Sequence, residues 1–325
     1  MSASLSPWRN WFPGIDHAAG ISTHAFGLDS GPIVVREQNV HVLRIGLTTR
    51  GLSFYTTPQS GPFHTGNQTI FDFLAAANQA ANVKVAINAA LAAAENGNPG
   101  APASLFGLAK SRGNLVCDPT LPAPQPKNPK TVVAPDVPNA RSVGTVALIL
   151  TEDNQASFEI VNAESPGEGR PWPSAYNAVA GSPQPQAFVD WPPGPFVGGL
   201  VAGEAMVLRD GKNNGIPSAA GTDGEKIAGR SAVGLSEDRR TLFLLTIDGV
   251  EGANPQYGAG FYDVGEWLLQ AGAYDGMSLD GGGSTAMAIL NELNEPVLVN
   301  IPHGTEGPPY IQRANAQFLG VVPGH

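Results

Sequence analysis

The chain has 325 residues, enough to bury a substantial core in one large domain or two modest ones, and its apolar content of 42% is ordinary for a folded protein. With 18 basic against 28 acidic residues and a formal charge of −10, neither nucleic acid nor an anionic membrane suits it as a main partner. Forty glycines and 29 prolines point to many turns and long ordered loops, hence to a β-rich architecture rather than a helical bundle.

A single cysteine, Cys117, excludes an intramolecular disulfide and a cysteine-based zinc site. The six histidines show no metal-ligand spacing, so zinc is not expected and no cofactor is called for; a calcium site of carboxylates and carbonyls would leave little trace in sequence. No apolar run approaches the length of a membrane span, so no membrane insertion is expected. Residues 1–10 lack the basic-then-apolar pattern of a signal peptide, which leaves either a cytosolic protein or, as the favoured reading, an extracytoplasmic one whose leader is absent from this chain. Nothing in the sequence specifies an oligomeric state.

Residues 1–38 show little periodicity and read as an irregular N-terminal arm, with 39–325 as the folded domain. His41–Leu47 and Leu52–Thr56 flank Thr48-Thr49-Arg50-Gly51 as the strands of a hairpin would. Thr69 as N-cap with Asp72 three residues on, and Ile70, Phe73, Leu74, Ala77 and Ala81 at helical spacing, predict a helix. Val83–Ile87 is then a short strand delivering Asn88, whose amide either faces a cleft or caps the next turn. Ser104–Leu108 and Asn114–Cys117 read as short strands about the turn Lys110–Gly113, and Asp118–Ala140, with seven prolines, as an extended surface loop.

Ser142–Leu150 and Ser157–Val161 form a strand pair about Glu152–Gln155. A second long loop region, from Asn162 to about Val201, is broken by the small run Asn177–Gly181 and carries Trp172, Tyr176, Trp191 and Phe196. Aromatic faces on loops are what a sugar-binding cleft uses, which makes Trp172 and Trp191 candidates; rings that only anchor the loop are the alternative. Ala205–Leu208 enters an Asp210-Gly211 turn.

The last hundred residues carry the candidate chemistry. Gly229–Leu235 and Thr241–Ile247 are apolar strands joined across Ser236–Arg240, and the second ends in Asp248-Gly249. Arg230 opens one strand and Asp248 closes its antiparallel neighbour, so they stand at one end of the hairpin, as a structural ion pair or as part of a site. Asp263 and Glu266 read as the N-cap and N3 pair of a helix whose buried face is Val264, Trp267, Leu268 and Ala271 and which stops at Gly272. The turn Tyr274-Asp275-Gly276 leads into a buried strand and then Asp280-Gly281-Gly282-Gly283-Ser284-Thr285. Three successive glycines permit positive φ and close approach of a ligand, and their N–H groups can form an anion-binding concavity beside Asp280; a glycine-bulged hairpin is the alternative. Ala286–Leu290 with Val297–Ile301 reads as a hairpin, and Ala316–Val322 as a final strand preceded by Arg313 and Asn315.

Five of these segments, Val85-Ala86-Ile87-Asn88, Arg230-Ser231-Ala232-Val233-Gly234, Thr246-Ile247-Asp248-Gly249, Leu279-Asp280-Gly281-Gly282-Gly283-Ser284-Thr285 and Arg313-Ala314-Asn315-Ala316, together resemble the phosphodiester glycosidase family in order and spacing, over roughly residues 40–322. The chain has Gly229-Arg230-Ser231 and Asp248-Gly249-Val250 where that family usually reads Pro-Arg-Thr and Asp-Gly-Arg. The expected architecture is α+β: a single domain with extensive mixed β-sheet, a few packed helices and long Pro/Gly-rich loops. The resemblance implies hydrolysis of the bond between a sugar C1 and a phosphate, with a sugar phosphodiester or glycan as partner. Such a leaving group is already acidic, so the reaction needs a carboxylate for an oxocarbenium-like transition state and a positive or N–H-rich pocket for the phosphate. On that reading Asp280 or Asp248 is the nucleophile or the base toward water, Arg230 and the amides of Gly281, Gly282 and Gly283 cradle the phosphate, Asn88 is an orienting amide, and Ser284 and Thr285 contact substrate. Two rivals are a glycosidase acting on a non-phosphorylated glycan and a glycan-binding module with degenerate catalysis.

Overall fold

The fold is that of a computed structural model, which describes residues 4–22, 37–61, 64–94, 97–105, 107–118, 145–161, 175–181, 206–215, 227–249, 257–303 and 312–325. The chain opens with β1 (Ser4–Leu5), β2 (Arg9–Phe12), β3 (Ile15–Ser22), β4 (Gln38–Gly46), β5 (Ser53–Thr56) and β6 (Thr65–Gly66), followed by helix α1 (Ile70–Ala81). Next come β7 (Val85–Asn88), β8 (Ala92–Ala94), β9 (Pro102–Leu105), β10 (Ala109–Ser111), β11 (Asn114–Cys117), β12 (Thr145–Leu150), β13 (Ala156–Val161), β14 (Asn177–Ala180), β15 (Met206–Arg209) and β16 (Lys212–Asn213). The last part holds β17 (Arg230–Leu235), β18 (Thr241–Ile247), helix α2 (Phe261–Ala271), β19 (Asp275–Ser278), β20 (Met287–Leu290), β21 (Pro296–Leu298) and β22 (Phe318–Val322).

The largest sheet runs β1-β3-β4-β18-β17-β19-β15-β16, with β2 also on β3; two five-stranded sheets run β11-β10-β14-β12-β13 and β21-β20-β7-β22-β5. Because side chains alternate along a strand, β18 sends Leu242 and Leu244 to one side and Phe243, Leu245 and Ile247 to the other. The first side meets Val85, Ile87 and Leu319 of one five-stranded sheet and Leu148 and Val179 of the other, which makes the main core. The second is covered by α2 through Phe261, Val264, Trp267 and Leu268. Helix α1 covers the outer face of β20-β7-β22, packing Ile70, Phe73 and Leu74 on Ala86, Ala288 and Phe318. The α+β architecture with strands dominant is as expected. Among the described residues, however, every strand ladder is antiparallel and the one parallel pairing is the isolated bridge Glu37–Tyr257, so "mixed" does not describe the sheets.

The helices form where the pattern places them. Thr69 caps α1 by accepting from the Asp72 N–H at 3.1 Å while Asp72 accepts from the Thr69 N–H at 3.3 Å, and the helix ends at Asn82 in the left-handed region. In α2 the buried face is the expected one, but Gly260 is the N-cap and Asp263 is N3, accepting from the Gly260 N–H at 2.8 Å.

Three local readings are corrected. Residues 4–22 are not irregular: β1, β2 and β3 extend the main sheet. Their pattern is weak because the α2 side of β3 is lined by small residues, Ala18, Gly20 and Ser22, and the volume there is filled from across the interface. A Cβ at Gly20 would lie 2.7 Å from the Trp267 ring, whose Nε1 donates to Gln38 Oε1 at 2.9 Å. The turn at 48–51 does not make a hairpin: β4 pairs with β3 and β18, β5 pairs with β22, and the chain crosses there from one sheet to the next. Asn177–Ala180, expected as a break in a loop, is β14, a central strand between β10 and β12.

Trp267 is fully buried, so Trp267→Ala is expected to cost about 3–5 kcal/mol in urea unfolding. A loss under about 1 kcal/mol would show that the N-terminal strands are not part of the cooperative core.

Candidate active site

The triple glycine is the crossover that carries the chain from β19 in the main sheet to β20 in the neighbouring one. It enters from a ladder in which Ala232 faces Ser278, continued by Leu279 N–H to Ser231 O at 2.8 Å, and then turns through a short 3-10 segment, Gly282–Ser284. Gly282 has φ +59°, a left-handed conformation that suits glycine, and its N–H donates to Gly229 O at 2.8 Å. That amide is therefore used within the fold rather than offered to a ligand. Ser284 and Thr285 are buried beneath the loop, 3% and 2% exposed.

Three buried asparagines hold this crossover. Asn88, at the end of β7, donates from Nδ2 to Asp280 O at 2.6 Å, and its Oδ1 accepts from Ser231 Oγ at 2.6 Å and the Ala286 N–H at 3.0 Å. Asn315 donates to Ser284 O at 3.0 Å. Asn300 accepts from the Met287 N–H at 2.7 Å and places its Nδ2 3.4 Å from Thr285 O. The loop carbonyls and flanking amides are thus fixed by side-chain groups rather than by a strand ladder, and only the loop entrance at Asp280 and Gly281 is partly exposed.

Two guanidinium groups flank the glycines. A Cβ at Gly281 would lie 3.6–3.7 Å from Arg230 Cδ and Nη1, and one at Gly283 would lie 2.6–2.9 Å from Nη2, Cζ and Nε of Arg313. Arg230 is oriented by its Nε, which donates to Ala259 O at 3.0 Å, and by stacking 4.1 Å from the Phe261 ring centroid. Asp280, at the loop entrance, is partly exposed.

Arg230 and Asp248 share a hairpin end as expected, but the register pairs Arg230 with Ile247. Paired residues project to the same face and the next residue to the other, so Asp248 turns away from α2 toward the main core. Its carboxylate is 1% exposed and accepts from Asn39 Nδ2 at 2.6 Å, Asn300 Nδ2 at 3.0 Å and the Ile301 N–H at 3.0 Å. Burial raises its pKa to about 6 against the pull of those three donors. Since Asn300 touches both Asp248 and the loop exit, Asp248 stands one side chain from the crossover.

The structure therefore gathers Asn88, Arg230, Asp280 and Gly281–Gly283 at one strand-end crossover, with Asp248 behind it, and adds Arg313, Asn300 and Asn39, none of which sequence reasoning offered as site residues. Trp172 and Trp191 lie outside the described residues. Among the described residues no three His, Cys, Asp or Glu side chains converge as a metal site would require. No helix among the described residues is long and apolar enough to cross a membrane.

A family model described as phosphodiester glycosidase matches residues 137–322, more than half of the chain. The chain belongs to the phosphodiester glycosidase family. Its structure is similar to the catalytic domain of zebrafish N-acetylglucosamine-1-phosphodiester α-N-acetylglucosaminidase, auto-inhibited by its pro-peptide, at a TM-score of 0.60 and 16% identity over 98% of this chain and 87% of that one. It is also similar to a presumed exported protein of Burkholderia pseudomallei K96243, at a TM-score of 0.52 and 11% identity over 99% of this chain and 96% of that one. At these identities the two likenesses speak to the fold alone. No curated protein matches the chain.

For this phosphodiester glycosidase family member the buried ionisable groups set a measurable pH dependence. Asp248 binds its proton more tightly folded than unfolded, so its contribution favours the folded state in acid and is lost as pH rises from about 4 through about 6. His17 and His41, both lowered to about 4 by burial, contribute with the opposite sign, their stability being present above 6.5 and lost as pH falls toward 4. Asp248→Asn removes the opposing contribution, so its unfolding free energy should climb more steeply between pH 4 and 6 than that of the wild type. Equal slopes in urea titrations across that range would show that Asp248 is not ionising in a buried setting.

Proposed function

We propose that this protein hydrolyses the glycosidic bond between a sugar C1 and a phosphate in a sugar 1-phosphodiester. The observation that carries the reading is the flanking of the Gly281–Gly283 crossover by Arg230 and Arg313, with Asp280 at its entrance. Two guanidinium groups against a loop of bare backbone suit a phosphate; a neutral glycan gives no reason for them. Family membership supports the reaction class, and the presence of Asn88, Arg230, Asp248 and Asp280 together speaks against a degenerate binding module.

In this reading the phosphate sits against Arg230, Arg313 and the amides of Gly281 and Gly283, which places C1 over the loop entrance. Asp280 is the carboxylate that meets C1, stabilising the oxocarbenium-like charge or attacking it, because it is the more exposed of the two aspartates. Asp248, buried behind the loop and linked to its exit through Asn300, is assigned the proton exchange with the attacking water. Asn88 holds the Asp280 carbonyl and so fixes where that carboxylate stands. No cofactor is needed, because a phosphate diester leaves without strong acid assistance. We place the protein outside the cytoplasm, the location favoured by the sequence reading.

Lysine keeps the charge of Arg230 but can reproduce neither the planar fork nor the stack on Phe261. Arg230→Lys is therefore expected to lower kcat/KM for a sugar 1-phosphodiester by about tenfold or more, with a much smaller effect on an aryl glycoside lacking phosphate. Equal losses on both substrates would mean that Arg230 only holds the loop, and the phosphodiester reading would lose its main physical support.

A further inference from the structure

On the core side of the main sheet a line of polar side chains leads outward from Asp248. Asn39 Nδ2 donates to Asp248 Oδ2 at 2.6 Å and lies 3.5 Å from His41 Nε2; His41 Nδ1 lies 3.1 Å from His17 Nε2; and His17 is stacked on Trp11 with centroids 3.9 Å apart. The register places these groups on one face: Asn39 stands opposite Asp248, His41 opposite Thr246, and His17 opposite Leu43. The chain crosses three adjacent strands, β3, β4 and β18, and is half-buried along its length.

Geometry fixes the direction of every bond in it. A carboxylate only accepts, so Asn39 must present its NH2 to Asp248, and the same Nδ2 then directs its second hydrogen at His41 Nε2. His41 Nε2 is thereby the acceptor, its Nδ1 carries the hydrogen, and His17 Nε2 receives it. The two ring centroids are 5.4 Å apart with planes inclined by 22°, farther apart than the nitrogens by about two ring radii. The contact is therefore an end-to-end N–H···N bond in the plane of the rings, not a pair of lone pairs converging on a metal. Arg9, which faces His17 across β2, disfavours a charge on that ring, while Asp16 and Arg44 pair with each other on the opposite face of the sheet.

We propose that Asn39, His41 and His17 are a directed hydrogen-bond chain that positions the Asp248 carboxylate for the reaction, with His41 held as the neutral Nδ1–H form. The proposal rests on the catalytic reading of Asp248. The three are positioning residues and not a proton relay, because the Asn39 amide interposed between His41 and Asp248 is not a proton carrier. All three lie before residue 137 and so outside the segment that carries the family match.

Nitrogen-15 NMR of the histidine-labelled full chain tests the chain directly: a pyrrole-type signal at His41 Nδ1 and a pyridine-type signal at Nε2 near neutral pH are expected. The reverse tautomer, or a doubly protonated His41, would overturn the proposal. In kinetics on a sugar 1-phosphodiester, His41→Leu should lower kcat about tenfold with little change in KM. It should also move the acid limb of the profile to higher pH, because Asn39 loses the partner that holds its NH2 on Asp248. His41→Gln, whose carbonyl can accept from Asn39 and whose amide can donate toward His17, should restore most of the rate. Wild-type kcat and acid limb in His41→Leu would overturn the positioning role. Full activity in Asp248→Asn would instead overturn the catalytic reading of Asp248, and with it the part of the proposal that concerns the reaction, while the tautomer signals decide the hydrogen-bond chain separately.

Discussion

The carboxamide of Asn88 is the contact on which the site depends. It sits at the end of a strand in one sheet, accepts a hydrogen bond from Ser231 in the facing sheet, and clamps both ends of the loop that joins them, at Asp280 and Ala286. A hydrocarbon core can hold two sheets face to face, but it does not specify how their ends are aligned. Buried amide bonds do, because each is directional and each is costly to leave unmade. Asn300 and Asn315 repeat the device on the rest of the loop, so a stretch of three glycines that would otherwise be floppy is fixed in one shape.

That rigidity gives the arginines something to work against. Arg230 comes from the main sheet and Arg313 from the segment before the last strand, and they meet opposite glycines of the same loop. Any side chain at Gly283 would displace the Arg313 guanidinium, and one at Gly281 would press on the Gly229 carbonyl at 2.9 Å. The glycines are thus required by what packs on them, and a guanidinium group on either side of the loop with a carboxylate at its entrance is the arrangement on which the proposed phosphate site rests. The two aspartates are kept in different settings, Asp280 at the loop mouth and Asp248 buried among amide donors, and the proposed division of carboxylate roles rests on that difference.

Much of this was legible in the sequence. The buried faces of both helices, the shared hairpin end of Arg230 and Asp248, and an unusual glycine loop after Asp280 are dense local signals, each set by residues within a few positions of one another; that this loop crosses between two sheets is seen only in the fold. The turn at 48–51 shows the limit, since turn chemistry is the same whether the chain folds back on its own sheet or crosses to the next one. Strands β3 and β14 were missed because their inward positions hold small residues whose space is filled from elsewhere, as Gly20 is by Trp267. Asn39 and Asn300 carried no sign of their role because their partner Asp248 is 209 and 52 positions away. Arg313 stood in a recognisable tail motif, yet only the fold brings it to Gly283.

The central claim is that water replaces phosphate at the sugar carbon and not at phosphorus. Hydrolysis of a sugar 1-phosphodiester in oxygen-18 water, followed by mass spectrometry of both products, tests it most directly. The account predicts the label in the C1 hydroxyl of the released sugar and none in the phosphate monoester. Label in the phosphate product would mean cleavage of the P–O bond and would contradict the proposed roles of Asp280, Asp248 and the arginine-flanked loop.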